Sequence, residues 1–124
     1  MSDPDRLVSQ LGQIQEAISR VERRFSTIST PAAFIADEEG LDRLDAICMM
    51  LIAIGEAFKK IDRVTEGELL ASYSGIDWRG VIGVRDVIAH GYFDIDEEQV
   101  FSICQQDLPE LRAVINRMLS DLDR

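Results

Sequence analysis

Several residue types are scarce in this chain of 124 residues, and each shortage excludes a class of protein. A single histidine and two cysteines are too few for a histidine-rich or four-cysteine zinc site. Eight glycines and three prolines beside 46% hydrophobic residues indicate a globular chain rather than a disordered one. Basic residues number 13 against 23 acidic ones, and the resulting net charge of −10 argues against non-specific binding to DNA.

Long apolar runs are absent as well. The longest, Ala46 to Gly55, has the length of a buried helix and falls short of the roughly 18 residues that suggest a membrane span. The first residues contain no basic segment followed by an apolar stretch, so we expect no signal peptide and no membrane association. Cys48 and Cys104 fall on apolar helical positions, which predicts two free buried thiols and a reducing cytoplasm.

Helical periodicity dominates the chain, and no segment alternates as a strand would. Three apolar stripes step by three or four residues: Leu7, Leu11, Ile14, Ile18, Val21 and Phe25; Leu41, Leu44, Cys48, Leu51, Ile54, Phe58 and Ile61; and Val100, Phe101, Cys104, Leu108, Leu111, Ile115, Met118 and Leu122. Between the second and the last of these stripes, a shorter helix, third in chain order, is expected from about Trp78 to Ala89, ended by Gly91. The chain is therefore predicted to be one all-α domain over residues 1–124, a bundle of four main helices.

Capping residues set the expected helix ends. Asp37, Asp77 and Asp96 are candidate caps, and Thr65 with Glu68 has the spacing of a capping box for an additional short helix over residues 66–73. Pro109 predicts a kink or a helix restart near Asp107, with Asp107 as the local cap.

Residues 78–92 carry the candidate chemistry. On a continuous helix, Asp86 and His90 would be neighbours, and Arg85 and Tyr92 would share a face. A carboxylate beside an imidazole favours the imidazolium and orients the ring. A histidine near a helix end is also a common stabilising cap, and the spacing alone favours that structural role.

The string Arg85 to Tyr92, RDVIAHGY, matches the R-x-x-x-x-H-x-Y pattern of HEPN-domain ribonuclease toxins, and the chain resembles the HepT family of the HepT/MntA toxin–antitoxin systems. The resemblance extends to a Gly-Glu-Ala triplet at Gly55, to residues 76–79 before the motif and to residues 107–111 in the last helix. It implies a four-helix bundle-like HEPN domain that forms a homodimer.

The resemblance also implies an activity, metal-independent cleavage of RNA at a cleft between two copies of the chain. A base, an acid and a cation near the phosphate suffice for such cleavage. The resemblance assigns general acid–base work to His90 and phosphate positioning to Arg85, with Asp86 supporting His90 and Arg79 as a candidate RNA contact. One histidine per chain cannot easily serve as base and acid in one step, and a two-fold dimer would supply a second copy. No cofactor and no metal are expected.

The partner implied by the resemblance is a MntA-like nucleotidyltransferase antitoxin that adenylylates Tyr92. Added phosphodiester charge and bulk beside the site would repel RNA and block the cleft. Two alternatives remain at this point. The chain could be a non-catalytic helical subunit that binds substrate for a minimal nucleotidyltransferase, or a helical scaffold in which Asp86 and His90 only stabilise a helix end.

Overall fold

The computed structural model describes residues 3–89, 91 and 93–123, without the side chain of Asp3. This part of the chain is mostly helical and contains no β-strand, which confirms the predicted all-α class. The elements in chain order are α1 (Asp3–Phe25), a 3₁₀ turn (Pro31–Phe34), α2 (Glu38–Val64), α3 (Glu68–Ala71), α4 (Trp78–Ile82), α5 (Val84–Ile88), α6 (Glu97–Ser102), a π-helical turn (Ile103–Asp107) and α7 (Leu108–Leu122).

The core lies between α1, α2 and α7, with α4 and α5 packed along α2 and α6 packed on the 3₁₀ turn. The predicted apolar stripes line this core, with one exception. Leu41 is 41% exposed, because the neighbouring Gly40 is the residue that packs against the backbone of the 3₁₀ turn. None of the described helices is both long and apolar enough to cross a membrane.

Three of the predicted aspartate caps are confirmed. The Asp37 carboxylate accepts the N–H of Gly40 at 2.7 Å, and Asp77 accepts that of Gly80 at 3.1 Å. Asp96 accepts two backbone N–H groups at the start of α6. Each carboxylate satisfies a donor that the first helical turn leaves without an intrahelical partner.

The capping box at Thr65 is wrong. The Thr65 hydroxyl donates to the carbonyl of Ile61 at 2.9 Å, one turn back in α2, so it closes that helix rather than opening the next. Gly67 stands at the start of α3 with a φ of 79°, and α3 spans only residues 68–71. The short helix predicted over residues 66–73 therefore exists in a reduced form.

The expected disturbance near Pro109 is confirmed, whereas the cap at Asp107 is wrong. A π-helical turn precedes α7, and Pro109, which has no N–H to donate, lies in the first turn of that helix. The backbone of Asp107 is itself helical, with φ −81° and ψ −39°, and its side chain caps nothing. Because the chain stays helical through this residue, no free helix start is present for a cap.

The third predicted helix is wrong as a single element. It is divided at Gly83, whose φ of −92° and ψ of 23° leave the α region, into α4 and α5. Glycine has a low helix propensity, which permits the break. The helix ends at Ile88, one residue before the predicted end at Ala89, because Ala89 is extended, with φ −133° and ψ 122°.

Candidate active site

The start of α4 is anchored by Trp78. Its indole N–H donates to the carbonyl of Tyr73 at 2.8 Å, and its ring centroid lies 5.0 Å from that of Phe58 on α2. The Tyr73 hydroxyl in turn donates to the carboxylate of Asp121 on α7, which raises the pKa of Tyr73. The segment before the motif is thus tied to both α2 and α7, and Trp78 acts as the packing anchor that its position indicates.

Close packing of the motif helices on α2 depends on Gly55. A Cβ atom at this position would lie 2.7 Å from the carbonyl oxygen of Val81 and 3.2 Å from a methyl group of Val84. Only glycine lets the backbone of α4 come this near to α2. The glycine of the Gly-Glu-Ala triplet noted in the sequence therefore has a steric cause.

The backbone before residue 90 is paired with the backbone after residue 94. Ala89 and Ile95 form an isolated antiparallel bridge, and the N–H of Asp96 donates to the carbonyl of Ile88 at 2.8 Å. These contacts join the end of α5 to the start of α6. The Ile88 side chain is 1% exposed, so the exit from α5 is fixed by the core.

Arg79, Arg85 and Asp86 are all solvent-exposed. Within the part of the chain that the structure describes, Arg79 and Arg85 form no ion pair. Arg85 and Asp86 lie in the first turn of α5, where the side chains of both are accessible to a ligand. The structure thus leaves the guanidinium groups of Arg79 and Arg85 available, as phosphate contacts require.

His90 and Tyr92 lie outside the described residues. The helical spacing invoked for them requires α5 to continue to residue 90, and that premise is wrong because Ala89 is extended. The spacing of four residues between Asp86 and His90 therefore does not make their side chains helical neighbours, and it no longer supports an orienting role for Asp86. The roles of both residues remain predictions.

A cleft of about 380 Å³ is lined by Val84 and Val87 of α5 and not by Arg85 or Asp86, and it was not anticipated from the sequence. We call it the α5–α7 cleft. Its apolar lining includes Leu51, Ile54, Ile76, Val87, Ile103 and Leu108, and its charged lining consists of Asp77, Asp107 and Glu110. The lining comes from several separate elements and a loop, so no local pattern could have shown it.

Asp107 has the most perturbed carboxylate in the cleft. Partial burial raises its pKa, and the nearby charges of Glu110 and Asp77 raise it further. Both effects disfavour the ionised form of Asp107. This side of α5 is thus lined by acids that repel one another, in contrast to the arginines elsewhere on α4 and α5.

The two thiols are free and buried, as predicted. Burial and, to a smaller extent, Asp45 raise the pKa of Cys48 to about 11. Burial raises the pKa of Cys104 to about 12, with a smaller effect of Cys48. Thiols with such pKa values are poor nucleophiles at neutral pH, so they supply core packing rather than chemistry. Among the described residues, no group of three or more histidine, cysteine, aspartate or glutamate side chains is placed to hold a metal ion.

The model of the HepT-like ribonuclease family matches residues 14–118, so the chain belongs to that family. This confirms the resemblance seen in the motif.

Individual relatives are distant. The chain is 30% identical over 78 residues to the protein named "Putative RNase MJ0125" of Methanocaldococcus jannaschii, covering 63% of this chain and 64% of that one. It is 28% identical over 80 residues to "Gamma-glutamylcyclotransferase and putative RNase MJ0434" of the same organism, covering 64% of this chain and 34% of that one. The alignment thus spans less than two thirds of either relative.

A longer match is found with "Probable ribonuclease HepT" of Thermococcus cleftensis, which is 27% identical over 108 residues, 87% of this chain and 91% of that protein. No solved structure matches the chain at a comparable level of significance.

Proposed function

We propose that the protein is a metal-independent endoribonuclease that acts as the toxin of a toxin–antitoxin pair. The observation that carries this proposal is Arg85, a motif arginine that is exposed on α5 without an ion-pair partner among the described residues. The family supports the class of reaction, since its model is that of HepT-like ribonucleases.

In the proposed reaction, His90 takes the proton from a ribose 2′-hydroxyl, and the 2′-oxygen attacks the adjacent phosphorus. The O2′–P bond forms while the P–O5′ bond breaks, which leaves a 2′,3′-cyclic phosphate. A second acid donates a proton to the departing 5′-oxygen. Arg85 binds the non-bridging phosphate oxygens and stabilises the charge that develops on them.

A homodimer completes this proposal. Each chain holds one histidine, and the reaction needs a base and an acid in the same step. A two-fold dimer that joins the motif segments would bring two copies of His90 and of Arg85 to one cleft. Asp86 supports the site as a nearby carboxylate, and Arg79 contacts the RNA backbone.

The test is cleavage of cellular RNA by the purified chain in the presence of a chelator. We expect the parent to cut and the His90→Ala and Arg85→Ala variants to be at least about 100-fold slower, as loss of an acid–base or charge-stabilising group implies. Arg20→Ala serves as the matched control, because Arg20 is exposed on α1 and pairs with Glu16. Cleavage by His90→Ala at the parental rate would refute the proposal.

The alternative of a non-catalytic substrate-binding subunit predicts a different result. Such a subunit would not cut RNA alone, and its expression without a partner would not arrest growth. We expect growth arrest with the parent and none with His90→Ala. Arrest that is equal for both would separate the toxicity from the motif.

We also propose that a MntA-like nucleotidyltransferase neutralises the protein by adenylylating Tyr92. Co-expression followed by intact-mass analysis is expected to show one or more adenylyl increments on the parent and none on Tyr92→Phe. Tyr73→Phe is the control, since Tyr73 is the other tyrosine and is bonded to Asp121. An increment that persists in Tyr92→Phe would contradict this assignment.

A further inference from the structure

The α5–α7 cleft combines an apolar floor with acidic side chains. Its floor is formed by Leu51 and Ile54 of α2, and apolar side chains of both walls continue this surface. A volume of about 380 Å³ falls within the usual range of ligand-binding pockets. Large apolar groups entering it would be removed from water, which is the main favourable term in association.

The charge of the lining favours a cationic occupant. The charged side chains that line the cleft are all acidic, namely Asp77, Asp107 and Glu110, and no described lysine or arginine lines it. Partial burial and, to a smaller extent, the charges of Glu110 and Asp77 hold the pKa of Asp107 above its usual range. A cation placed among these carboxylates would relieve the repulsion, whereas an RNA strand would add negative charge to it.

The local backbone supports a binding role for this wall. Asp107 is the last residue of the π-helical turn and directly precedes α7. π-turns inside helices are frequent at functional sites. Here the turn leaves Ile103 and Asp107 on the cleft side, so one wall offers an apolar group and a carboxylate together.

We propose that the α5–α7 cleft binds a segment of a protein partner that presents a lysine or arginine between large apolar side chains. The apolar flanks occupy the floor and the walls, and the cation lies among Asp77, Asp107 and Glu110. This site is separate from the exposed arginines of the motif and does not depend on RNA cleavage.

The experiment uses the full chain, labelled with ¹⁵N, and two probe peptides. The first is N-acetyl-Leu-Lys-Leu-amide, and the second has norleucine in place of lysine, which keeps the methylene chain and removes the ammonium group. We expect the lysine peptide to shift the amide signals of Gly80, Val87 and Ile103. The norleucine peptide is expected to bind about fivefold more weakly.

A double variant tests the carboxylates. Asp107→Asn with Glu110→Gln is expected to lower the affinity for the lysine peptide to that for the norleucine peptide. Asp45→Asn with Glu98→Gln is the matched control, because it changes the net charge equally at exposed residues outside the cleft. Asp77 is left intact because it caps α4.

Several outcomes would overturn the proposal. Equal affinity for the two peptides would remove the role of charge, and shifts confined to other residues would remove the site. Cleft signals that move with protein concentration alone would show that a second copy of the chain is the occupant. Cleft signals that move with a uridine hexanucleotide, and not with the lysine peptide, would assign the cleft to RNA.

Discussion

Gly55 carries a steric requirement that can be tested by adding one methyl group. Gly55→Ala would place a Cβ atom 2.7 Å from the Val81 carbonyl oxygen, and backbone cannot rotate away as a side chain can. We expect the free energy of unfolding to fall by about 1–3 kcal/mol, the usual range for overpacking. Urea denaturation followed by circular dichroism measures this change.

Gly12→Ala is the control for Gly55→Ala. Gly12 also lies inside a long helix, and a Cβ atom at this position would meet no atom within 4 Å beyond the backbone of its own helix and its chain neighbours. Without a clash, alanine stabilises a helix by roughly 0.5–1 kcal/mol relative to glycine. If Gly55→Ala were stabilised like Gly12→Ala, the close contact between α2 and α4 would be refuted.

Asp107 provides a prediction with a definite pH dependence. Its pKa is raised in the folded state, so its contribution to stability is present at low pH and is lost as the pH rises through the folded pKa. Asp107→Asn removes the charge, and we therefore expect a higher urea midpoint than the parent at pH 7. The gain is expected to vanish below about pH 4, where the carboxyl becomes protonated in both states. A gain that is independent of pH would point to packing or helix propensity instead.

Among the helical elements, α4 is stabilised at its start by the side-chain cap of Asp77. Asp77→Ala leaves the N–H of Gly80 without its carboxylate acceptor, and we expect a loss of about 1 kcal/mol in unfolding free energy. Asp77→Asn is the control, since asparagine caps as well as aspartate and removes the same charge. Thermal unfolding of both variants checks this. Equal losses would mean that charge, rather than the cap, is what stabilises α4.

An element is predictable from the sequence to the extent that the contacts that form it are local. Asp37, Asp77 and Asp96 were predictable because an N-cap involves residues within three positions of one another. The break at Gly83 was not predictable from the periodicity of residues 78–89, since the apolar spacing continues across it. The position of α4 is set by contact with Gly55, which is distant in the sequence.

In the candidate site, too, local features were predictable from the sequence and features built from distant residues were not. The motif identified Arg85 and Asp86 as candidates, and the structure places both in the solvent-exposed first turn of α5. The α5–α7 cleft could not be predicted, because it is assembled from α2, α4, α5 and the π-turn with α7. A continuous helix from Asp86 to His90 was the wrong expectation, because Ala89 has an extended backbone and is paired with Ile95.

On the scale of the whole molecule, the cations near the motif helices differ from those that form ion pairs. Arg20, Arg23, Arg43 and Arg112 form ion pairs on α1, on the first turns of α2 and between α1 and α7. Within the described part of the chain, no ion pair involves a lysine or arginine between residues 59 and 85. The net charge of −10 therefore coexists with cations on α2, α4 and α5 that form no ion pair among the described residues.

Two of these cations flank one aromatic contact. Lys59 follows Phe58 and Arg79 follows Trp78, and the rings of Phe58 and Trp78 are 5.0 Å apart. Both Lys59 and Arg79 are exposed, so under the proposed function each is available to an RNA backbone that binds at Arg85. Lys60, the next residue, instead lines a separate cleft near the start of α1.

This arrangement predicts different effects for two adjacent lysines, provided that the protein binds RNA as proposed. With a 2′-O-methyl oligoribonucleotide, which cannot be cut, Lys59→Gln is expected to weaken binding. It is also expected to reduce the slope of log K against log salt by about 0.7, the value for one phosphate contact on a single strand. Lys60→Gln removes the same charge at a residue that lines the cleft near the start of α1, and it is expected to leave the slope unchanged. Equal effects of the two substitutions would mean that binding responds to net charge alone, whereas no binding by the parent would refute the RNA substrate itself.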